Sequence, residues 1–166
     1  MCRYCGFSRP RSCHVHCNCG PYVTAVSSSH PFQRPPDHSA CQLFGAPAGT
    51  CGRTHDHLGL DFSGNEGDPV FSISVGRVTK VGLANSPAGQ YNGNFVRVLH
   101  PNGYESSYIH LSQPPVVTEG DYVFPGTVLG LVGHTGDTTD NHLHLQIKTP
   151  VGIPIDPLTI LHPGCG

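Results

Sequence analysis

The sequence predicts an all-β fold, either an antiparallel β-sandwich or an open barrel. The 166 residues include 21 glycines and 16 prolines, which disfavour helices and suit short strands joined by turns. No stretch of ten residues keeps a helical period of apolar residues without a glycine or a proline. Short runs of β-branched and aromatic residues recur instead between turn signals, which is typical of strands.

Seven such runs predict strands at 70–75, 77–82, 94–100, 104–111, 122–124, 128–132 and 142–148. The pairs Asn92-Gly93 and Asn102-Gly103 are strong hairpin signals, because this dipeptide adopts the positive φ angles of tight hairpin turns. The second pair therefore predicts a turn between two antiparallel strands.

The charge distribution separates the start of the chain from the rest. Residues 1–34 carry four arginines and no acidic residue, whereas the remaining residues carry a net charge of −6 and the whole chain −2. We therefore expect residues 1–20 to form a cysteine-rich N-terminal segment ahead of a main domain at 21–166. The main domain lacks the surplus of basic residues that would favour binding to nucleic acid.

No apolar run approaches the ~18 residues of a membrane helix, so we expect no membrane span.

The chain has eight cysteines, and five of them lie within the first 20 residues. These five and the nearby histidines fit two hypotheses, a structural zinc site or a set of disulfides. We favour disulfides, because the spacing matches no standard two-plus-two zinc pattern. An odd count then requires one N-terminal cysteine to pair elsewhere. Cys41 and Cys51 are close enough for a local bridge, which leaves Cys165 as the partner of the odd cysteine.

Histidine is unusually frequent, with 12 residues against 9 lysines and arginines together. The first histidine motif is His57-Leu58-Gly59-Leu60-Asp61. In a strand, side chains four residues apart project from the same face, so His57 and Asp61 are expected to point together. Gly59 between them is expected to leave room for a bound ion.

Two further motifs lie on predicted strands. Strict alternation over 142–147 places His142 and His144 on one face and three apolar side chains in the core on the other. In the predicted strand 104–111, Tyr108 and His110 are expected to share a face. Together the motifs supply two histidines and one aspartate as metal ligands, with two spare imidazoles.

Most histidines in strands are surface or hydrogen-bonded residues, and His55 would share the face of His57 without being a ligand. We interpret five others as surface or turn residues: His30, His38, His100, His134 and His162. Three protein ligands with an open fourth position are typical of catalytic zinc. Manganese, cobalt and nickel also accept nitrogen and oxygen ligands, so ligand type alone leaves the metal open.

The order of these motifs resembles the lysostaphin-type, LytM-like M23 metallopeptidases, which cut peptidoglycan peptides. His57-x3-Asp61 precedes His142-x-His144 as it does in that family. Further segments match in the family's order: Gly67-Asp68-Pro69-Val70, Gly76-Arg77-Val78, Tyr108-Ile109-His110-Leu111, Gly120-Asp121, the glycines from Gly126 to Gly130, Gly133-His134-Thr135-Gly136 and Pro154-Ile155-Asp156-Pro157-Leu158. The resemblance covers about residues 53–160.

The resemblance implies an all-β fold of the LytM-like, duplicated-hybrid-motif type. The cysteine-rich segment lies outside the resemblance, and its composition leads us to expect an N-terminal cap. The resemblance also implies one catalytic zinc ion held by His57, Asp61 and His144. His110 and His142 would be the catalytic histidines near the metal-bound water.

The activity that the resemblance implies is a zinc-dependent endopeptidase acting on the stem or cross-bridge peptides of bacterial peptidoglycan. The alternative is a non-catalytic member of the family that binds cell-wall peptide or a partner protein. All five site residues are present, which favours the enzyme. We expect a monomer in the extracellular space or the cell envelope. Residues 1–5 lack the apolar region of a signal peptide, so we expect a mature form or a start further upstream.

Overall fold

The computed structural model describes residue 31 and residues 40–161, and their regular secondary structure is predominantly β strand. The strands are β1 Leu60–Ser63, β2 Pro69–Phe71, β3 Gly76–Gly82, β4 Asn94–Leu99, β5 Glu105–Leu111, β6 Tyr122–Val123, β7 Val128–Leu131, β8 His142–Lys148 and β9 Pro154–Ile155. A single turn of α-helix at Leu158–Leu161 is the α-helical part of the described residues. The prediction of an all-β, antiparallel fold is confirmed.

Strand β8 lies second from one edge of the main sheet and pairs with three other strands. Seven strands form this antiparallel sheet in the order β1-β8-β5-β4-β3-β6, with β9 beside β8 on the same edge as β1. The strands β2 and β7 form a separate antiparallel ribbon. Apolar side chains from both sheets enter one buried cluster, so the two sheets enclose a common core.

The alternation predicted for β8 is confirmed. Leu143, Leu145 and Ile147 are at most 2% exposed and belong to the core, whereas His142 and His144 lie on the opposite, partly exposed face. Because β1 and β5 flank β8 on its two sides, the histidine face of β8 can receive side chains from both neighbours.

Each of the seven predicted runs contains a strand, but one of them is much shorter than expected. Strand β2 ends at Phe71 instead of continuing to residue 75. Beyond it, the Ser72 N–H donates to the Thr127 carbonyl and the Ile73 N–H donates to the Tyr108 hydroxyl. These backbone groups therefore find partners outside a strand ladder. Strand β9, two residues long and beginning with a proline, was not predicted.

His100 was predicted as a surface or turn residue, and it does begin the turn before β5, because its carbonyl oxygen accepts from the Gly103 N–H. Its side chain, however, is not at the surface but buried, at 7% exposure. Its Nδ1–H donates to the Val75 carbonyl at 2.8 Å, and the Ser106 hydroxyl lies 2.9 Å from its Nε2. The Ser106 and Tyr108 hydroxyls are in hydrogen-bond contact at 3.1 Å. This chain of polar partners satisfies the imidazole inside the protein, which sequence pattern alone does not indicate.

A disulfide joins Cys41 to Cys51, whose Cα atoms are 5.9 Å apart, and confirms the predicted local bridge. The first 20 residues and Cys165 lie outside the described residues, so the N-terminal cap, the pairing of Cys165 and the domain boundary stay predictions. His30, His38 and His162 also lie outside them. No helix within the described residues has the length and apolarity to cross a membrane.

Candidate metal centre

Three side chains converge on one point next to β8. The His57 Nε2, Asp61 Oδ1 and His144 Nδ1 atoms all lie within 4.8 Å of one another. Asp61 Oδ1 is 3.1 Å from His57 Nε2 and 2.7 Å from His144 Nδ1, and the two ring nitrogens are 3.0 Å apart. His57 is 2% exposed and Asp61 5% exposed, so this is an enclosed cluster.

The cluster combines strand pairing with a loop. Asp61 on β1 and His144 on β8 are directly opposite in the antiparallel register, so their side chains share a face. His57 lies before β1 begins, which differs from the strand geometry predicted for His57 and Asp61. Its backbone is held instead by hydrogen bonds to Gly45 and Ala46. The two side chains do meet, but a loop brings His57 to the site.

Gly59 makes room for a ligand side chain rather than for an ion. A Cβ atom at this position would lie 2.6 Å from His144 Nε2 and 2.6 Å from the Leu145 carbonyl oxygen. Both distances are below normal van der Waals contact. Only a residue without a side chain lets the His144 ring pass close to the segment between His57 and Asp61.

The proton positions in the cluster suit a cation. The His57 Nδ1 atom lies 2.8 Å from the Leu43 carbonyl oxygen, which can only accept a hydrogen bond. The proton of a neutral His57 is therefore on Nδ1, and the lone pair of Nε2 faces the carboxylate of Asp61. Two electron-pair donors that face each other in an enclosed site fit a positive ion between them. Two imidazole nitrogens and one carboxylate oxygen form a donor set that zinc accepts.

Asp61 stays ionised. Burial by itself raises the pKa of this carboxyl group, but the close imidazole rings of His144 and His57 outweigh burial and hold the pKa well below its usual range. The second carboxylate oxygen, Oδ2, accepts a hydrogen bond from Arg53 Nη2 at 2.6 Å. Arg53 was not among the site residues predicted from the sequence, because an arginine in a short loop belongs to no periodic pattern.

His110 and His142 lie beside the cluster with ring centroids 4.9 Å apart. The Nδ1–H of His110 donates to the Thr135 carbonyl at 2.8 Å, and the Nδ1–H of His142 donates to the Asp140 carbonyl at 2.9 Å. In the neutral form, each ring therefore keeps a free lone pair on Nε2. The His142 Nε2 atom is 3.6 Å from Asp61 Oδ1.

Burial is the main cause that lowers the pKa of His110 to about 4, and His142 and His144 lower it further against the Thr135 hydrogen bond. His110 is therefore a neutral imidazole at neutral pH. The structure brings all five sequence-predicted site residues together on the histidine face of β8.

The prediction that Tyr108 and His110 share a face is wrong. Tyr108 is opposite the core residue Leu145, and its hydroxyl accepts from the backbone N–H of Ile73 inside the core. At His110 the backbone has a φ angle of 68°, in the left-handed region that non-glycine residues rarely adopt. This angle breaks the alternation of β5 and turns the His110 ring out of the core, towards His142.

Two other histidines stay outside the cluster. His55 is exposed and its Nδ1 atom contacts the hydroxyl of the neighbouring Thr54. His134 is exposed, as predicted, and contacts Asn141.

The fold and the site together define a β protein with a His-Asp-His group that could hold a metal ion and two additional imidazoles beside it. The sequence profile of peptidase family M23 matches residues 55–157, and the chain belongs to this family.

Relatives with known names agree with this assignment. The chain is 35% identical over 109 residues to the peptidoglycan DD-endopeptidase ShyC of Vibrio cholerae, covering 66% of this chain and 24% of that relative. The chain spans 22% to 24% of the length of three curated relatives that it matches, ShyC among them.

Solved structures are similar as well. The catalytic domain of the antimicrobial peptidase lysostaphin from Staphylococcus simulans superimposes with a TM-score of 0.60 at 33% identity, covering 72% of this chain and 88% of that chain. A zinc-containing peptidase from Vibrio cholerae superimposes with a TM-score of 0.61 at 28% identity, covering 78% of this chain and 39% of that chain.

Proposed function

We propose that this protein is a zinc-dependent endopeptidase that hydrolyses peptide bonds in the stem or cross-bridge peptides of bacterial peptidoglycan. The observation that carries the proposal is the convergence of His57, Asp61 and His144 beside two imidazoles, His110 and His142, whose Nε2 atoms are free. The first three residues are the proposed metal ligands, and the other two are the proposed catalytic histidines.

The donor set supports zinc as the metal. Two imidazole nitrogens and one carboxylate oxygen are the number and type of protein ligands found at catalytic zinc sites, which keep a fourth position open. When bound, zinc supplies Lewis acidity that activates water at neutral pH and polarises a carbonyl group. The structural similarity to a zinc-containing peptidase supports the same choice.

The two free imidazoles supply the proton transfers that amide hydrolysis needs. One Nε2 atom of the pair accepts the proton that water loses as its oxygen attacks the carbonyl carbon. The imidazolium that forms in this way lies near the carbonyl oxygen and stabilises the negative charge that develops there. When the carbon–nitrogen bond breaks, the proton passes to the departing amine. The carbonyl groups of Thr135 and Asp140 hold both rings in the orientation that presents Nε2.

The proposed substrate follows from named relatives, since ShyC is a peptidoglycan DD-endopeptidase. Peptidoglycan lies outside the cytoplasmic membrane, so we propose an extracellular or cell-envelope location. The Cys41–Cys51 disulfide supports this location, because disulfides persist in oxidising compartments. We propose a monomer, because all five site residues come from one chain.

The test is incubation of the zinc-loaded protein with purified peptidoglycans that differ in their cross-bridges, followed by identification of the new amine ends. We expect new amine ends from at least one peptidoglycan, and none after the metal is removed with a chelator. The matched control is His57→Ala, which removes one proposed ligand.

The competing hypothesis is a non-catalytic domain that binds cell-wall peptide or a partner protein. It predicts that the zinc-loaded protein sediments with peptidoglycan but releases no new amine ends. That result with every cross-bridge type would overturn the proposed activity while leaving the family assignment intact.

A further inference from the structure

The loop of residues 41–53, here called the disulfide loop, lies against the metal centre. The Cys41–Cys51 disulfide links the start of this loop to a point near its end, and Arg53 is the last residue of the loop. The Arg53 side chain donates from Nε and Nη2 to the Cys41 carbonyl oxygen at 3.3 and 2.9 Å. The same Nη2 atom donates to Asp61 Oδ2 at 2.6 Å. One guanidinium group therefore connects the start of the loop to a proposed metal ligand.

The disulfide loop also holds the second ligand. The Leu43 carbonyl oxygen accepts from His57 Nδ1, and Gly45 and Ala46 form backbone hydrogen bonds with His57 at 2.8 and 2.9 Å. Two of the three proposed ligands thus take their outer hydrogen-bond partners from this one loop. Such outer partners orient the ligand atoms of metal sites.

The contact made by Arg53 selects one oxygen of the Asp61 carboxylate for the metal centre. Oδ2 is occupied by the guanidinium group, whereas Oδ1 faces His57 and His144. The Asp61 side chain is 7% exposed, so few water molecules can replace Arg53 as a donor. Without Arg53, the carboxylate would be free to rotate about its terminal bond and Oδ1 would lose its fixed direction.

We propose that Arg53 is a positioning residue for the metal centre, acting through Asp61, and that the Cys41–Cys51 disulfide holds Arg53 in place. This inference rests on the proposed zinc site. Arg53 does not touch the metal or the substrate in this proposal, and its effect is on how tightly the metal is held.

The test is the zinc dissociation constant of the whole chain, measured by competition with a chromophoric chelator. We compare wild type, Arg53→Gln, Arg53→Lys and the control Arg77→Gln. Arg77 is an exposed arginine on β3 whose guanidinium group also contacts a backbone carbonyl, that of Gly120, on the far side of the sheet. The circular dichroism spectrum of each metal-free variant checks that it is folded.

We expect Arg53→Gln to raise the zinc dissociation constant by about 10- to 100-fold, the usual effect of removing an outer partner. Arg53→Lys should fall between Arg53→Gln and wild type, because lysine keeps the charge but not the fork of two donors. Arg77→Gln should match wild type. A positive charge next to a cation site would by itself weaken zinc binding. An unchanged or lower dissociation constant for folded Arg53→Gln would therefore overturn the proposal.

The double variant Cys41→Ser, Cys51→Ser tests the disulfide without adding an unpaired thiol from this bridge. We expect its zinc dissociation constant to rise in the same direction, and a value equal to wild type would overturn the role of the disulfide. If wild type itself bound no zinc, both the zinc site and this inference would fail. If wild type bound zinc and Arg53→Gln bound it equally well, only the inference would fail.

Discussion

Asp61 on β1 and His144 on β8 are register partners, and Asp61 Oδ1 lies 2.7 Å from His144 Nδ1. Two of the three proposed ligands therefore meet through the pairing of adjacent strands. A shift of the pairing by one residue would turn one of these side chains into the core, because side chains alternate along a strand. The strand register therefore fixes the relative positions of Asp61 and His144. The loop that carries His57 adds the third proposed ligand.

The first prediction separates His57 from its neighbour His55. His57→Ala removes a nitrogen from the enclosed cluster and should abolish stoichiometric zinc binding. His55→Ala removes an exposed ring whose Nδ1 atom contacts the Thr54 hydroxyl, outside the cluster, and should leave about one zinc ion per chain. Metal analysis after dialysis measures both variants. Equal zinc content in the two would show that the ligand set is wrong.

The second prediction separates catalysis from metal binding. His110→Ala and His142→Ala remove the free Nε2 atoms but none of the proposed ligand atoms. Each variant should keep wild-type zinc content and lose about 10²- to 10⁴-fold in turnover, the usual contribution of a positioned acid or base. Turnover on peptidoglycan and zinc content are measured on the same preparation. Loss of zinc from either variant would contradict the division of roles.

The third prediction concerns Gly59. In Gly59→Ala, the new Cβ atom would lie 2.6 Å from the Leu145 carbonyl oxygen and from His144 Nε2. The carbonyl belongs to a central strand and cannot move aside, so the free energy of unfolding should fall by about 1–3 kcal/mol, as expected for overpacking. Zinc binding should weaken in the same variant. Urea unfolding of the metal-free protein measures the first effect.

Leu58→Ala is the matched control for Gly59→Ala, because this neighbouring side chain is 45% exposed. A Gly59→Ala variant as stable as Leu58→Ala would show that the close approach of His144 is not required.

The fourth prediction concerns pH and His100. Burial lowers the pKa of His100 below its ordinary value of 6.5, although the hydrogen bond to Val75 opposes the shift. The unfolded chain therefore binds a proton more readily than the folded protein. The stabilising contribution of neutral His100 is complete above pH 6.5 and is lost as the pH falls below it.

His100→Gln tests this expectation. The variant should be less stable than wild type at pH 7.5, because the partners Val75 and Ser106 lose the imidazole. Its melting temperature should nevertheless fall less than that of wild type between pH 7.5 and pH 5.5. Equal falls in the two proteins would exclude His100 as a source of acid sensitivity.

Much of the fold could be predicted because it depends on local patterns. Alternation over β8 was sufficient to assign Leu143 and Leu145 to the core and His142 and His144 to the other face, as observed. Glycine and proline content excluded a helical domain, and seven apolar runs each contained a strand. Residue type and spacing were also sufficient to single out the three histidine motifs, and the family resemblance then assigned the five candidate site residues.

Other features arise from contacts between distant segments, and periodicity carries no information about them. The left-handed backbone of His110 breaks the alternation that the sequence predicts, and only the bulged pairing of β5 reveals it. The burial of His100 depends on Val75 and Ser106, which supply its partners.

The sequence by itself determined the class of fold, the face of β8 that carries histidines and the identity of the residues at the proposed site. The tertiary structure decided the direction of His110, the tautomers set by backbone carbonyls, and the contact of Arg53 with Asp61. The physical reason is range. Alternation is a property of neighbouring residues, whereas a hydrogen bond to a carbonyl or a carboxylate exists only when folding has brought its two ends together.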